Sequence, residues 1–424
     1  MSPWSWDNLW CGAKRTNWIL KTGLVFLAAL FSYYAALKAV DFPVYHYATR
    51  AMLEGNGPLY GPGSGIGWPM VYRYPPLFLF VFVPFALLPL KLGAGVWAAL
   101  KFVVLYELVR ALGKRLGGPR GTLAWLVSLA LVGRYVVVEF QYGNVQFYIF
   151  ALVAASFFWL HTRPRAAACA LAVATSLKVW PLFFLPYLAA RREWRVFTWT
   201  LLLATGLTFL PALYFGWNNY LELLQQWATH EFSMAGVAEG AGFPGQSLRE
   251  VLLRYLTALD FSRLPDPNYP RVNILALDPS LVEFLWLLLA GLCYVGLVKL
   301  ARHPVPSEGW TEHALAFCGL ALLEPHTHTV HLVVLLWPAL VAGSMLNRNA
   351  TMFPRWARHA IYAAVALAVI QSLAPSARVH RFLQVAGADF LVTCLLTVGL
   401  AGAYFLTATM KQPSRRSHIQ NLQL

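Results

Sequence analysis

Apolar runs separated by short polar breaks recur from one end of the chain to the other, at lengths that suit helices crossing a bilayer. The first, TGLVFLAALFSYYAALKAV from Thr22 to Val40, predicts a helix over about Trp18 to Val40 that runs outward from a cytoplasmic amino end. Further spans are expected at about Ala94–Leu112, Thr122–Val138, Val145–His161, Val196–Gly216, Leu281–Leu300, Ala360–Leu373 and Phe390–Thr409. Ala166–Lys178 and Val179–Ala190 are short for a hydrocarbon core of roughly 30 Å, and they read as a hairpin sunk into the protein. One long helix with Lys178 midway is the alternative, but it puts the basic RREWR segment (191–195) outside. Glu312–Glu324 and His331–Met345 form a second pair around PHTHTVH.

The segment YPPLFLFVFVPFALLP, Tyr74 to Pro89, is short and carries four prolines. Counted as a span, it would place Lys114, Arg115 and Arg120 outside, against the positive-inside rule. It therefore reads as a helix in the outer interface. The fold expected is an all-α polytopic membrane protein of about twelve transmembrane helices, with both termini cytoplasmic. Residues 1–410 read as a single multi-pass domain with outer loops at about 41–93 and 217–280, and residues 411–424 as a disordered cytoplasmic tail.

Composition supports this class. Only 12% of the 424 residues are charged, 58% are hydrophobic, and the mean hydropathy is +0.55, which no ordinary soluble domain matches. The net charge of +15 lies in short loops between apolar runs, so it reads as a topology signal and not as a nucleic-acid surface. Cys11, Cys169, Cys293, Cys318 and Cys394 are scattered without metal spacing or a disulfide framework. No phosphate-binding GxxxxGK[ST] motif is present. The Asn349–Thr351 sequon falls in an expected cytoplasmic loop, where it carries no meaning.

This topology sorts ionisable residues by side. Asp41, Arg50, Glu54, Arg73, Glu139, Lys178, Glu231, Glu239, Arg249, Glu324 and the histidines of HTHTVH fall at or near the outer face. Ionisable groups near membrane depth are costly and mark candidate functional sites. Asp41 ends the first apolar run, where a carboxylate can meet an aqueous and a lipid-borne substrate together; it can equally be a charge that merely ends a helix.

The chain resembles the polyprenyl-phosphate-mannose-dependent membrane glycosyltransferases of the GT-C fold, in particular the bacterial phosphatidylinositol-mannoside and arabinan-type mannosyltransferases. The resemblance rests on DFPVYHYATRAMLEGNGPLY (41–60), YRYPPLF (72–78), GNVQF (143–147), LAVATSLKVWPLFFLPYLAARREWR (171–195) and GQSLREVLLR (245–254). GNVQF departs from the commoner Gly-Gln-x-Asn order, which leaves the roles of Asn144 and Gln146 open. The resemblance implies a bacterial plasma-membrane hexosyltransferase. It would take a polyprenyl-phosphate-linked sugar as donor and a lipid-linked or glycan acceptor, with no resident cofactor and with chemistry on the outer face.

A lipid phosphate is already a good leaving group, so one general base suffices for an inverting displacement. The resemblance points to Asp41 as that base and to Lys178 as the cation on the donor phosphate. Arg50 and Arg73 are alternative phosphate clamps or ordinary surface charges. Tyr45, Tyr60 and Tyr74 can stack on sugar or anchor the interface. Gln246 and Ser247 can bond sugar hydroxyls, and Ser247 can instead cap a helix. Glu139 can orient the acceptor or pair with Arg134. His326, His328 and His331 can bond a phosphate or acceptor, hold a divalent metal or be structural. Two other classes compete with the enzyme: a transporter or flippase of lipid-linked saccharides, and a non-catalytic envelope scaffold.

Overall fold

Every regular element among the described residues is helical. The structure, a computed structural model, describes residues 14–61, 64, 66–116, 122–234, 245–258, 270–302, 309–346 and 353–410. Glu239, the Asn349–Thr351 sequon and the 411–424 tail lie outside the described residues.

Helix α1 (Lys14–Lys38) stops short of the predicted end and gives way to α2 (Asp41–Glu54), bent away by 65°. Pro43 accounts for the break. A continuous helix would drive its ring into the carbonyl of residue 39, whereas in the first turn of a new helix its missing N–H costs nothing. Gly55 ends α2 in the left-handed conformation (φ 70°), and Asn56 N–H bonds the Ala51 carbonyl. The outer loop expected after Val40 is thus helical at its start. α2 buries Phe42, Tyr45, Ala48 and Met52 and packs against α3 (Pro76–Ala86), the helix expected from the proline-rich segment.

The following helices are α4 (Leu90–Leu116), α5 (Thr122–Tyr142), α6 (Gln146–Trp159) and α7 (Pro164–Leu177). The chain is extended at Lys178 and resumes in a 3₁₀ turn (Trp180–Phe183) and α8 (Phe184–Ala190). Pro181 enforces this break, since a helix running through it would clash with the Leu177 carbonyl. One long continuous helix through Lys178 is therefore excluded.

Next come α9 (Trp194–Phe209), α10 (Ala212–Phe215), α11 (Trp217–Met234) and α12 (Leu248–Leu256). The last two occupy the stretch expected to be loop. α13 (Pro279–Arg302), α14 (Gly309–Leu323), a 3₁₀ turn (His331–Leu335) with α15 (Leu336–Leu346), α16 (Arg355–Ser372), α17 (Ala377–Val385) and α18 (Ala388–Met410) complete the chain.

Four of these segments are long and apolar enough to cross a membrane: Leu90–Leu116, Trp194–Phe215, Pro279–Arg302 and Ala388–Leu406. The bent α1–α2 pair passes the same test. α1 and α13 leave large apolar side chains such as Phe26, Leu27, Phe284 and Leu292 exposed, the faces that hydrocarbon covers in a membrane protein. The core runs between them through α5–α8, α14 and α15, where Phe150, Phe157, Phe184, Phe317 and Trp337 interlock. α16 and α18 pack closely because Gly399 and Gly402 leave room for Ile361 and Trp356.

Candidate active site

The turn between α5 and α6 carries the GNVQF residues to Asp41. Gly143 adopts φ 70°, and a Cβ added there would lie 2.7 Å from Phe42 Cβ. Val40 N–H bonds the Tyr142 carbonyl at 3.1 Å, so the turn and the start of α2 are locked together. Gly143→Ala is expected to combine left-handed strain with overpacking. Each costs about 1–3 kcal/mol, so the melting temperature of the purified protein should fall by several degrees.

From this turn a row of hydrogen bonds runs across the site. Asn144 Nδ2 donates to Asp41 Oδ2 at 2.8 Å, and Asn144 Oδ1 accepts the Gln146 backbone N–H at 2.9 Å. Gln146 Oε1 accepts from Lys178 Nζ at 2.9 Å and from Trp180 Nε1 at 3.2 Å. Lys178 Nζ also meets His331 Nε2 at 3.2 Å, while His331 Nδ1 faces the His326 carbonyl at 3.1 Å and Glu324 Oε2 at 3.8 Å. Asp41, Lys178 and His331, distant in sequence, thus converge on one bonded path.

Two free valences stand out along it. Among the described residues, Asp41 makes one side-chain hydrogen bond, through Oδ2, and Oδ1 stays open. Lys178 has no carboxylate within 4.0 Å among the described residues. Its neighbours are a neutral amide, an imidazole and the face of Tyr74, whose ring centroid is 5.6 Å away. A half-buried ammonium with no carboxylate in direct contact among the described residues suits an incoming anion.

Tyr74 OH meets Tyr45 OH at 2.9 Å. Burial first, and then the Asp41 charge, pushes the Tyr74 phenol well up, so it remains protonated. Tyr45 is buried, and Tyr60, also buried, donates to the Tyr74 carbonyl at 2.8 Å. Both brace Tyr74, and Tyr74 is the one that faces Lys178.

The remaining residues named from sequence sort clearly. Arg73 clamps Glu231 on α11 with two hydrogen bonds, 2.9 and 3.1 Å, and its carbonyl accepts from Trp227 Nε1. Arg50 is exposed and pairs with Glu54 one turn along α2. Glu139 does not pair with Arg134. It is fully buried with Lys101, 2.8 Å away, because α5 turns its face inward; Arg134 reaches Asp389 instead, at 2.9 Å.

Gln246 bonds within the protein. Its Nε2 donates to the Gln384 carbonyl and its Oε1 accepts from Phe390 N–H, which ties the start of α12 to α17 and α18. Ser247 is the N-cap of α12 in a capping box with Glu250. Burial raises the Glu250 carboxyl, but the His326 hydrogen bond and the His328 charge outweigh it, and the group sits below its ordinary range. His326 lies between Glu250 (3.5 Å) and Arg249 (3.3 Å), and the His328 ring lies 5.8 Å from that of His331. Of the three histidines, His331 is the one that reaches Lys178. Among the described residues, no group of three or more His, Cys, Asp or Glu side chains is placed to hold a metal.

Lys101 is not among the residues named from sequence, although a lysine in the middle of an apolar run is itself a signal. Gln146, whose role the sequence leaves open, joins the two halves of the path.

Comparison with known proteins places the chain. A family model, glycosyltransferase family 87, matches residues 72–325, more than half of the chain, and the chain belongs to that family. The polyprenol-phosphate-mannose-dependent alpha-(1-2)-phosphatidylinositol mannoside mannosyltransferase of Mycolicibacterium smegmatis is 30% identical over 174 residues, 36% of this chain and 39% of that protein. The enzyme of the same description from Mycobacterium tuberculosis is 28% identical over 208 residues, 44% of this chain and 48% of that protein. The matched stretch thus spans less than half of either relative. ArnT from Cupriavidus metallidurans bound to undecaprenyl phosphate aligns over 93% of this chain and 78% of its own, with 15% identity and a TM-score of 0.42.

Proposed function

We propose that the chain transfers a mannosyl or related glycosyl group from a polyprenyl-phosphate-linked donor to a hydroxyl of a lipid-linked or glycan acceptor, by a single inverting displacement. The bonded path from Asp41 to Lys178 carries this reading. The open oxygen of Asp41 takes the acceptor proton as the acceptor oxygen bonds the anomeric carbon. The bond from that carbon to the phosphate oxygen breaks, and Lys178 stabilises the departing polyprenyl phosphate. Tyr74 lies against Lys178, and its hydroxyl meets that of Tyr45.

The relatives' dependence on polyprenol-phosphate-mannose supports the donor class. We place the site on the outer face of a bacterial plasma membrane, in a GT-C-type bundle crossing about twelve times with both termini inside. The support is charge distribution. Arg163, Arg191, Arg192, Lys299 and Arg302 lie at or just beyond helix ends opposite those that reach Lys178 or α12.

The test is incubation of the purified full chain in lipid nanodiscs with radiolabelled polyprenyl-phosphate mannose, using a phosphatidylinositol mannoside and a soluble mannoside as acceptors. A labelled glycosidic product is expected. In proteoliposomes, movement of the intact donor between leaflets without a new bond would replace the enzyme by a transporter.

A further inference from the structure

Lys101 and Glu139 stand behind the path, both fully buried. Lys101 lies midway along α4 and is fully enclosed. Its Nζ donates to Glu139 Oε2 at 2.8 Å, to the Glu139 carbonyl at 3.2 Å and to the Asn144 carbonyl at 2.5 Å, which uses all three protons of an ammonium. Rings of Trp97, Phe140 and Tyr148 surround it at 6.0, 5.3 and 5.9 Å. Glu139 Oε1 accepts the Phe147 N–H at 2.9 Å, and the Glu139 carbonyl accepts the Asn144 N–H at 3.3 Å. The pair thus grips the 139–147 turn from both ends.

Stability is a poor reason for two charges in this place. A buried ion pair forfeits hydration that its own attraction repays only in good geometry, and an apolar pair of the same volume is often no less stable. Fixed direction is what the pair adds. Asn144 reaches Asp41 and Gln146 reaches Lys178 from a single turn, so any rotation of that turn loosens both contacts together.

We infer that Lys101 and Glu139 are positioning residues, holding the 143–147 turn so that Asn144 orients Asp41 while Gln146 orients Lys178. The inference rests on the roles proposed above for Asp41 and Lys178. It separates the pair from residues that bind donor or acceptor directly: its loss should act chiefly on turnover, with at most a small rise in donor KM through the loosened Lys178.

The experiment compares Lys101→Met/Glu139→Gln, Asn144→Ala, their combination and Asp41→Asn in the full chain, with radiolabelled polyprenyl-phosphate mannose and a phosphatidylinositol mannoside. Misplacing reacting groups by about 1 Å can cost about a hundredfold. The charge-free pair is therefore expected to lower kcat by about ten- to a hundredfold, with donor KM within about threefold and a melting temperature near that of the wild type. If the pair acts through Asn144, adding Asn144→Ala should cost little more than the larger single effect.

Wild-type kcat in the charge-free pair, a rise in KM alone, or full additivity with Asn144→Ala would each overturn the inference. Should the double variant fail to fold, Glu139→Gln takes its place. It keeps its volume and an oxygen for Phe147 N–H, and the same fall in kcat is expected; an unchanged kcat counts against the inference. Asp41→Asn keeps the two readings apart. Fast turnover in that variant removes the base assignment itself, whereas slow turnover there beside a fast charge-free pair removes only the positioning role.

Discussion

Asp41→Asn is expected to lower turnover by about 10²–10⁴-fold, the usual worth of a general base, while the protein folds and binds donor as before. The prediction is sharp because the substitution is nearly silent to everything except proton transfer. An asparagine oxygen can still accept the Asn144 amide that now bonds Oδ2 at 2.8 Å. The bend that places residue 41 is set by Pro43 and by the bond from Val40 N–H to the Tyr142 carbonyl, neither of which uses the carboxylate. What disappears is the basicity of Oδ1. Pre-steady-state product formation under donor saturation measures the step directly, and turnover within tenfold of wild type would end the assignment. Asp41→Glu keeps the basicity but shifts the oxygen by about one bond length, and a loss of about a hundredfold is expected from misplacement alone.

Lys178→Ala should raise the donor KM and lower kcat/KM by about 10- to 150-fold, the worth of about 1.5–3 kcal/mol for one hydrogen bond to a charged group. Two features carry this. The ammonium has polar neighbours but no carboxylate within 4.0 Å among the described residues, so an anionic ligand gains its full attraction without first breaking an ion pair. Its place is also set by the backbone: Pro181 ends α7 one residue before it and leaves Lys178 extended, aimed at Gln146 and His331. Lys178→Arg should rescue poorly, because a planar guanidinium cannot satisfy the Gln146 oxygen, the His331 nitrogen and a phosphate from the position of a compact ammonium. Donor titration of single-turnover rates separates binding from chemistry. An unchanged donor affinity in Lys178→Ala would dismiss the phosphate role.

The two substitutions also divide the labour of the site. Asp41→Asn is expected to act on kcat at unchanged donor affinity, and Lys178→Ala first on donor binding and then on the charge that builds as the phosphate leaves. Glycosyl transfer with a lipid phosphate leaving group needs no more acid–base machinery than this.

Much of the fold was legible in one dimension because its cause is one-dimensional. In hydrocarbon a backbone must satisfy its own hydrogen bonds, so an apolar run of sufficient length becomes a helix whatever surrounds it. The helices at Leu90–Leu116, Pro279–Arg302 and Ala388–Met410 follow from composition, and the α7–α8 break follows from proline placement. The helices α11 and α12 were not legible. Their segments mix polar, aromatic and turn residues, and they are helical because of what they dock on: α12 through Ser247 and Gln246 onto the Pro325–Thr327 segment and α17, and α11 through Glu231 and Trp227 onto Arg73 and its carbonyl.

The site divides along the same line. Residue type and place in a run mark Asp41, Lys178 and the histidine segment as candidates, since each is an ionisable group at the edge of an apolar stretch and each has a reason to be there. Their partners are a matter of three dimensions. Glu139 and Arg134 lie five residues apart in helix α5, yet they bind Lys101 on α4 and Asp389 on α18, because their side chains leave α5 toward different neighbours. The sequence by itself determined that the chain is a helical membrane protein and which few ionisable groups sit at its apolar edges, because hydropathy and proline act locally. Only the tertiary structure decided which of those groups share a site, because hydrogen-bond partners are chosen by distance in space, and the amides of Asn144 and Gln146 acquire their meaning from the two charges they join.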